Sequence, residues 1–408
     1  MRFKPGFCRI CDHPISPFMD FGDMPIGNGF LSLDGFETEY FYKMKVAVCD
    51  RCCTFQVVEV PDPKQMFHSN YAYFASTSHY MVKHFREMSE KLIDDLKLDE
   101  NSLVVEIGCN DGITLKNFVE AGVPSIGIEP SSNVAEKARS KGIKVLDKFF
   151  NLETSTTLVE EVGNADLFIA TNTMHHIEDI NSVFAGVKEL LKPKGVMVQE
   201  DPYLGDMLKL VSYDQIYAEH MYLWSITSLN NVLARHGLEI FDIERNKFHG
   251  GCMRYYICHK GAFCPTEQCL KQQNKEVKLG IKDEKTYHKF RLMCEESRGR
   301  LVNKVSEIRK SGKKIVGYGA TAKSATIINY CNLTCEDIPC IFDSTDFKQG
   351  KYSPGAHIPV LPAEQFKDEK PDFAILFAWN HFKEINDKEK DFERYGGEWV
   401  IPIGQLPK

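Results

Sequence analysis

The chain has 408 residues, 43% of them hydrophobic and 26% charged, with a formal net charge of -7 at pH 7. This is the composition of a globular protein with two or three domains. The 50 basic residues are outnumbered by 57 acidic ones, which argues against a protein that binds nucleic acid by neutralising phosphates.

The start, "MRFKPGFCRICDH", carries no apolar core of a secretion signal. The longest apolar run, "FAILFAW" at 373–379, is too short to cross a membrane. Fourteen cysteines in such a chain are expected to be thiols or metal ligands rather than disulfides. A cytoplasmic protein is expected, monomeric or weakly homo-oligomeric, with no nucleic-acid or membrane partner.

Residues 1–67 form the first segment. Gly, Pro and Asp interrupt every run in "CRICDHPISPFMDFGDMPIGNGF", and no helical period lasts. Something other than a core must hold it. Cys8 and Cys11 make one C-x-x-C, and Cys49 and Cys52 a second. Two such pairs present four thiolates to one Zn²⁺, and a closed four-sulfur site leaves no room for a reacting water, so the metal is structural. Cys53 makes the second pair ambiguous by one residue, but the C-x-x-C spacing selects Cys52.

Residues 68–245 change texture. "SLVVEIGC", "SIGIEP", "KVLDKFF", "ADLFIATN" and "GVMVQEDP" are short apolar runs separated by helix-like stretches such as "GITLKNFVEAG" and "INSVFAGVKELLKPKG". This alternation predicts a parallel α/β sheet. The first strand runs into "EIGCNDG", where Glu106 ends the strand and Gly108, Asn110 and Gly112 form the turn into a helix. The spacing is not G-x-G-x-x-G, so a dinucleotide fits poorly. An acid at the strand end suits a cationic ligand better than a pyrophosphate. The next strand ends at Glu129, placed to accept hydrogen bonds from ribose hydroxyls. The fourth ends in "ATNTMHHIED", bringing Asn172 and His176 to the C-terminal edge of the sheet. Together these features resemble the class I S-adenosylmethionine methyltransferases.

After this core comes "YDQIYAEHMYLWS", Tyr213 to Ser225. A helical reading buries its aromatic residues and leaves Glu219 beside His220. On a helix such neighbours point about 100° apart, so the two are not expected to bond each other directly.

Residues 246–408 open with "HGGCMR" and a polar helical stretch near 264–312, then return to strand–helix texture. "IVGYGATAKSATI" is a strand, a glycine turn and a helix start. Gly319, Lys323 and Ser324 there, with Lys348 and Arg254, suit an anion such as a diphosphate. A second, Rossmann-like α/β domain is expected.

The order of these motifs, with "GYGATAKS" and "DSTDFKQGKYSPGAHIPV" toward the end, resembles the nucleotide-sugar C-methyltransferases that add a methyl group to C3 of a 4-keto-6-deoxy sugar. The resemblance covers essentially the whole chain. It implies S-adenosylmethionine at Gly108, Asn110, Gly112 and Glu129, structural zinc at the four cysteines, and catalytic roles for Tyr71, His176, Tyr217, Glu219 and His220. A ketone at C4 acidifies the C3 proton, and removing that proton needs a base of near-neutral pKa, for which His220 is the natural choice. Glu219 remains the alternative base. O- or N-methylation of a small molecule, or a non-catalytic zinc module, are the competing readings. Removing zinc is expected to unfold the first segment without touching the transfer chemistry directly. The nucleotide and the C3 substituent stay open.

Overall fold

The protein is described by a computed structural model, which covers residues 4–61, 75–246 and 250–404. Tyr71 and His249 lie outside the described residues.

The first segment contains a sheet where only loops were expected. Pro17–Pro25, Phe41–Val48 and Phe55–Val57 pair antiparallel. The pairing of the first two shifts register at 17/19 and 20/23. Bulges of this kind break the two-residue alternation that makes a strand legible. The fourth strand is Tyr222–Leu223, supplied from within "YDQIYAEHMYLWS".

The central sheet has seven strands. In spatial order they are Leu238–Asn246, Cys252–His259, Leu191–Pro202, Ala165–Thr171, Val104–Ile107, Ser125–Ile128 and Lys144–Leu146. The last five run parallel. Cys252–His259 pairs antiparallel with both of its neighbours. The sheet therefore continues past the expected boundary at 246 and takes Cys252–His259 from the C-terminal segment. Chain order reverses between Val104–Ile107 and Ala165–Thr171, and ligands of open α/β sheets bind outside the strand ends at such a reversal.

The polar stretch forms two helices, Glu267–Leu279 and Glu284–Lys310. The C-terminal sheet is parallel throughout, in the order Val360–Pro362, Ile341–Asp343, Ile315–Tyr318, Phe373–Leu376, Glu398–Val400. It too reverses beside its first strand. One apolar core runs through all three segments, from Phe21 and Phe55 through Phe168 and Trp224 to Ile327 and Phe377.

The stretch from Tyr213 to Ser225 is not a helix. Tyr213–Gln215 form one 3-10 turn, the chain bends through 217–219, and Tyr222–Leu223 are extended. Its backbone and side chains are satisfied from outside. Thr326 donates to Ile216 O at 2.8 Å, Trp379 Nε1 donates to Asp214 Oδ2 at 2.6 Å, and Val57 N donates to Met221 O at 2.9 Å. With partners from the flanking segments, the chain has no need of helical hydrogen bonds. The helix that does follow, Ile226–Leu233, starts at a capping box on Ser225 and Ser228.

Candidate active site

The four cysteines come together as expected. Cys8, Cys11, Cys49 and Cys52 are buried, and their sulfurs lie within 4.8 Å of one another. The pairs Cys8–Cys52 and Cys11–Cys49 are 3.5 Å apart. That is far beyond a disulfide bond, and close to the spacing of sulfurs sharing a zinc ion at about 2.3 Å. Gln56 Nε2 donates to Cys8 Sγ at 3.2 Å, and Cys52 N to Cys49 Sγ at 3.5 Å. Such donors stabilise thiolates and suit Zn²⁺. Cys53 lies outside the cluster: its positive φ of 60° turns the chain away after Cys52.

The expected cofactor turn sits at the reversal of the central sheet. Gly108 has φ 60° and Gly112 φ 77°. A Cβ on Gly108 would stand 2.5 Å from Thr173 Oγ1, and one on Gly112 would stand 2.1 Å from Ile143 Cδ1. Asn110 and Asn172 also take positive φ, 49° and 50°, a conformation that asparagine tolerates. Glu129 accepts from Asn110 N at 3.1 Å and Ser131 N at 2.9 Å, which fixes its carboxylate at the strand end. Burial, with the charges of Glu129 and Asp111, lifts the Glu106 carboxyl to about 8. Glu106 Oε2, Asp111 Oδ1 and Asn172 Oδ1 are buried acceptors with no donor among the described residues. A set of acceptors awaiting N–H and O–H groups fits a ligand bearing an ammonium group and ribose hydroxyls.

His176, Tyr217, Glu219 and His220 converge nearby. His220 Nδ1 is 2.7 Å from Gln215 O, and a carbonyl only accepts, so Nδ1 carries the hydrogen. The neutral ring then has its lone pair on Nε2, where the Tyr217 hydroxyl donates. His176 Nδ1 donates to Glu219 O at 2.6 Å in the same way. Burial holds His176 neutral, down at about 3, and holds His220 well below its usual range, with His175 and His176 adding to the effect.

Glu219 and His220 do not bond each other, as expected, but the cause is the bend and not a helix. The Glu219 carboxylate turns toward the N-terminal segment, where Asn28 Nδ2 donates to Oε1 at 3.0 Å and Oε2 at 2.8 Å. Burial lifts Glu219 to about 7, against the pull of Asn28 and Lys348.

Two residues at this site escaped the sequence reading. Asn28 lies 191 positions from its partner, and nothing local marks it. His175 is the neighbour of His176. It is buried between the other two histidine rings, 4.0 Å from His176 and 4.4 Å from His220 by ring centroids. Its Nδ1 is 2.5 Å from Asp201 Oδ1. The doublet "HH" was the available signal.

Of the residues expected to hold an anion, Gly319, Lys323, Ser324 and Lys348 lie around one turn of the C-terminal domain, and Arg254 lies apart from them. Arg254 lies in the central sheet, buried and paired with Glu200 at 2.8 Å and Glu244 at 3.1 Å. The Ser324 hydroxyl is committed to the cap of the helix Ala322–Tyr330, where it donates to Thr321 O at 2.6 Å. Lys323 lies over the Trp379 ring and feels the charge of Asp214. Gly319, φ 88°, packs on Ala378. Lys348 donates to Ala320 O at 2.7 Å, and its ammonium also feels Glu219.

Three family models divide the chain. Residues 8–67 match a zinc binding domain, 79–243 a methyltransferase domain, and 247–404 a C-methyltransferase C-terminal domain. The chain is 32% identical over 401 residues to C-methyltransferase NovU of Streptomyces niveus, a match spanning 97% of this chain and 95% of that one. A ubiquinone biosynthesis O-methyltransferase of Rhodopseudomonas palustris (strain TIE-1) is 26% identical over 112 residues, 27% of this chain and 43% of that one. Among solved structures, an S-adenosylmethionine-dependent methyltransferase from Clostridium acetobutylicum aligns with 44% of this chain and 92% of its own, at 13% identity and a TM-score of 0.34.

Proposed function

Because the chain belongs to the S-adenosylmethionine-dependent C-methyltransferases, we propose that it methylates C3 of a nucleotide-diphosphate-linked 4-keto-6-deoxy sugar through an enolate. S-adenosylmethionine, bound at the Gly108 turn, supplies an electrophilic methyl group. What this chemistry lacks is a nucleophilic carbon, and the chain's own residues must generate it.

The observation that carries this reading is the division of labour on one bent segment. His220 has its proton fixed on Nδ1 and its lone pair on Nε2, so it is an acceptor at rest. It takes the C3 proton, directly or through the Tyr217 hydroxyl that already touches it. The electron pair left on carbon moves to the C4 oxygen. Glu219, lifted to about 7, is available as a carboxylic acid and donates an O–H to that oxygen, as buried neutral carboxyls do elsewhere. Lys348 adds positive charge on the same side. His176 and Tyr71 complete the proposed contacts with the sugar, and Gly319 and Lys323 are the proposed contacts with the nucleotide part.

The test is solvent deuterium exchange at C3 with S-adenosylhomocysteine in place of the methyl donor. A panel of nucleotide-linked 4-keto-6-deoxyhexoses should include one that exchanges and that gains a methyl group on carbon when the donor is supplied. Absence of exchange across the panel, with methylation at oxygen or nitrogen instead, sinks the reading.

A further inference from the structure

The Glu219 carboxyl is held by the Asn28 amide and feels the charge of Lys348, both from outside its own segment. Asn28 comes from the "PIGNGF" loop that ends the first long strand of the zinc segment. Lys348 comes from the C-terminal domain. The loop is pinned on both sides of Asn28. A Cβ on Gly27 would stand 3.1 Å from Ala322 Cβ, so the loop lies against the start of a C-terminal helix. The Phe30 ring lies under the Lys348 ammonium at 5.1 Å. Asn28 itself is exposed although its partner is 3% exposed. It therefore stands where the buried carboxyl opens to solvent.

We infer that Asn28 is a positioning residue for the reaction: its amide orients the Glu219 carboxyl, so that the zinc segment completes the catalytic site. This rests on the proposed role of Glu219. One amide nitrogen spans both oxygens, which fixes the carboxyl plane and leaves the outer lone pairs for substrate. A hydrogen bond to the charged form also favours it, so Asn28 holds the titration of Glu219 lower than burial alone would. The other charged or titratable groups that face Glu219 are Lys348, Tyr42 of the N-terminal sheet, and His176 on its backbone oxygen.

The test uses the full chain with its zinc and two readouts. The first is the carboxyl titration of Glu219 in protein labelled with ¹³C at the Glu side chains, without substrate, assigned by its loss in Glu219→Gln. Removing a donor to the charged form raises the pKa. Asn28→Ala should therefore move the titration up by about one pH unit, and Asn28→Asp, which adds a like charge, by more. The second readout is the pH profile of C3 exchange. Its fall with rising pH should move the same way in both variants, with kcat reduced more than KM. Zinc content and S-adenosylmethionine affinity serve as folding controls, and an exposed loop residue should leave both unchanged. A Glu219 titration that stays put in both Asn28 variants overturns the inference. If that titration moves while Glu219→Gln exchanges like wild type, the role of Glu219 fails instead, and the positioning role falls with it.

Discussion

At the scale of single residues the site is governed by burial. Glu219 is lifted to about 7 because little water reaches it. An unfolded Glu titrates near 4.3, so the folded pKa is the higher one. A raised pKa contributes stability that is fully present below the unfolded value and is lost as pH rises through about 7. Ionised Glu219 thus costs up to about 3 kcal/mol at pH 8. Glu219→Gln should show a Tm above wild type at pH 8 and close to it near pH 4, in the absence of substrate. A variant less stable than wild type at pH 8 would mean that Asn28 and Lys348 already offset the burial. His220→Ala should fold and bind S-adenosylmethionine yet lose C3 exchange by about 10²- to 10⁴-fold, the span of general base catalysis. Near-wild-type exchange would remove His220 from the role of base. The residues proposed for the site were named from the resemblance of the motifs, and the chemistry of proton removal favours a histidine among them. Their orientation was not legible in the sequence. Neither the hydrogen-bond partner that fixes the His220 tautomer nor the turn of Glu219 toward Asn28 leaves a trace in local spacing.

At the scale of elements, the central α/β unit was readable because each strand and helix satisfies its own pattern. "VVEI" at 104–107, the Gly108 turn and the strand ending at Glu129 fall where the alternation placed them. The bulged strands of the first segment and the stretch Tyr213–Ser225 were not readable, since both depend on partners far along the chain. The stretch lacks glycine and proline, so nothing local argues against a helix; tertiary hydrogen bonds override it. The Gly108 turn is the proposed cofactor contact, and its tightness is testable. With φ 60° and Thr173 Oγ1 2.5 Å from an added Cβ, Gly108→Ala strains the backbone and pushes the first-strand turn away from the fourth-strand end. Backbone strain of this kind costs about 1–3 kcal/mol. Calorimetry should find S-adenosylmethionine binding weakened by about tenfold or more with zinc retained. Adding Thr173→Ala removes the collision but not the φ cost, so it should restore part of the affinity. Full restoration would assign the whole effect to the clash, and no loss in Gly108→Ala would detach this turn from the cofactor.

At the scale of the whole molecule, the zinc segment is docked on the central domain and, in the proposed mechanism, completes the site. Its knuckles dock on the central domain: Asn181 donates to Ile10 O and Asn231 to Cys52 O, both at 3.1 Å. Arg9 reaches Val58 O at 2.7 Å, tying the first knuckle to the sheet that receives Tyr222–Leu223. The same segment carries Asn28 to Glu219. The texture and cysteine spacing of the first 67 residues predict that zinc holds them together, and with it that removing zinc does not touch the transfer chemistry directly. The second expectation does not follow from this architecture. Without its metal the knuckle sheet loses the constraint at its cysteine end, and with it the hold on the strand that steadies Met221 and on the amide proposed to orient Glu219. The S-adenosylmethionine turn, by contrast, rests on the central sheet and its own helices. Chelation should therefore reduce C3 exchange strongly while S-adenosylmethionine still binds, and restoring Zn²⁺ should recover exchange. Parallel measurement of zinc content, cofactor binding and exchange during a chelator titration separates the cases. Exchange that persists in zinc-free protein would show that the segment does not feed the site, and loss of cofactor binding in step with zinc would show that the three segments unfold as one.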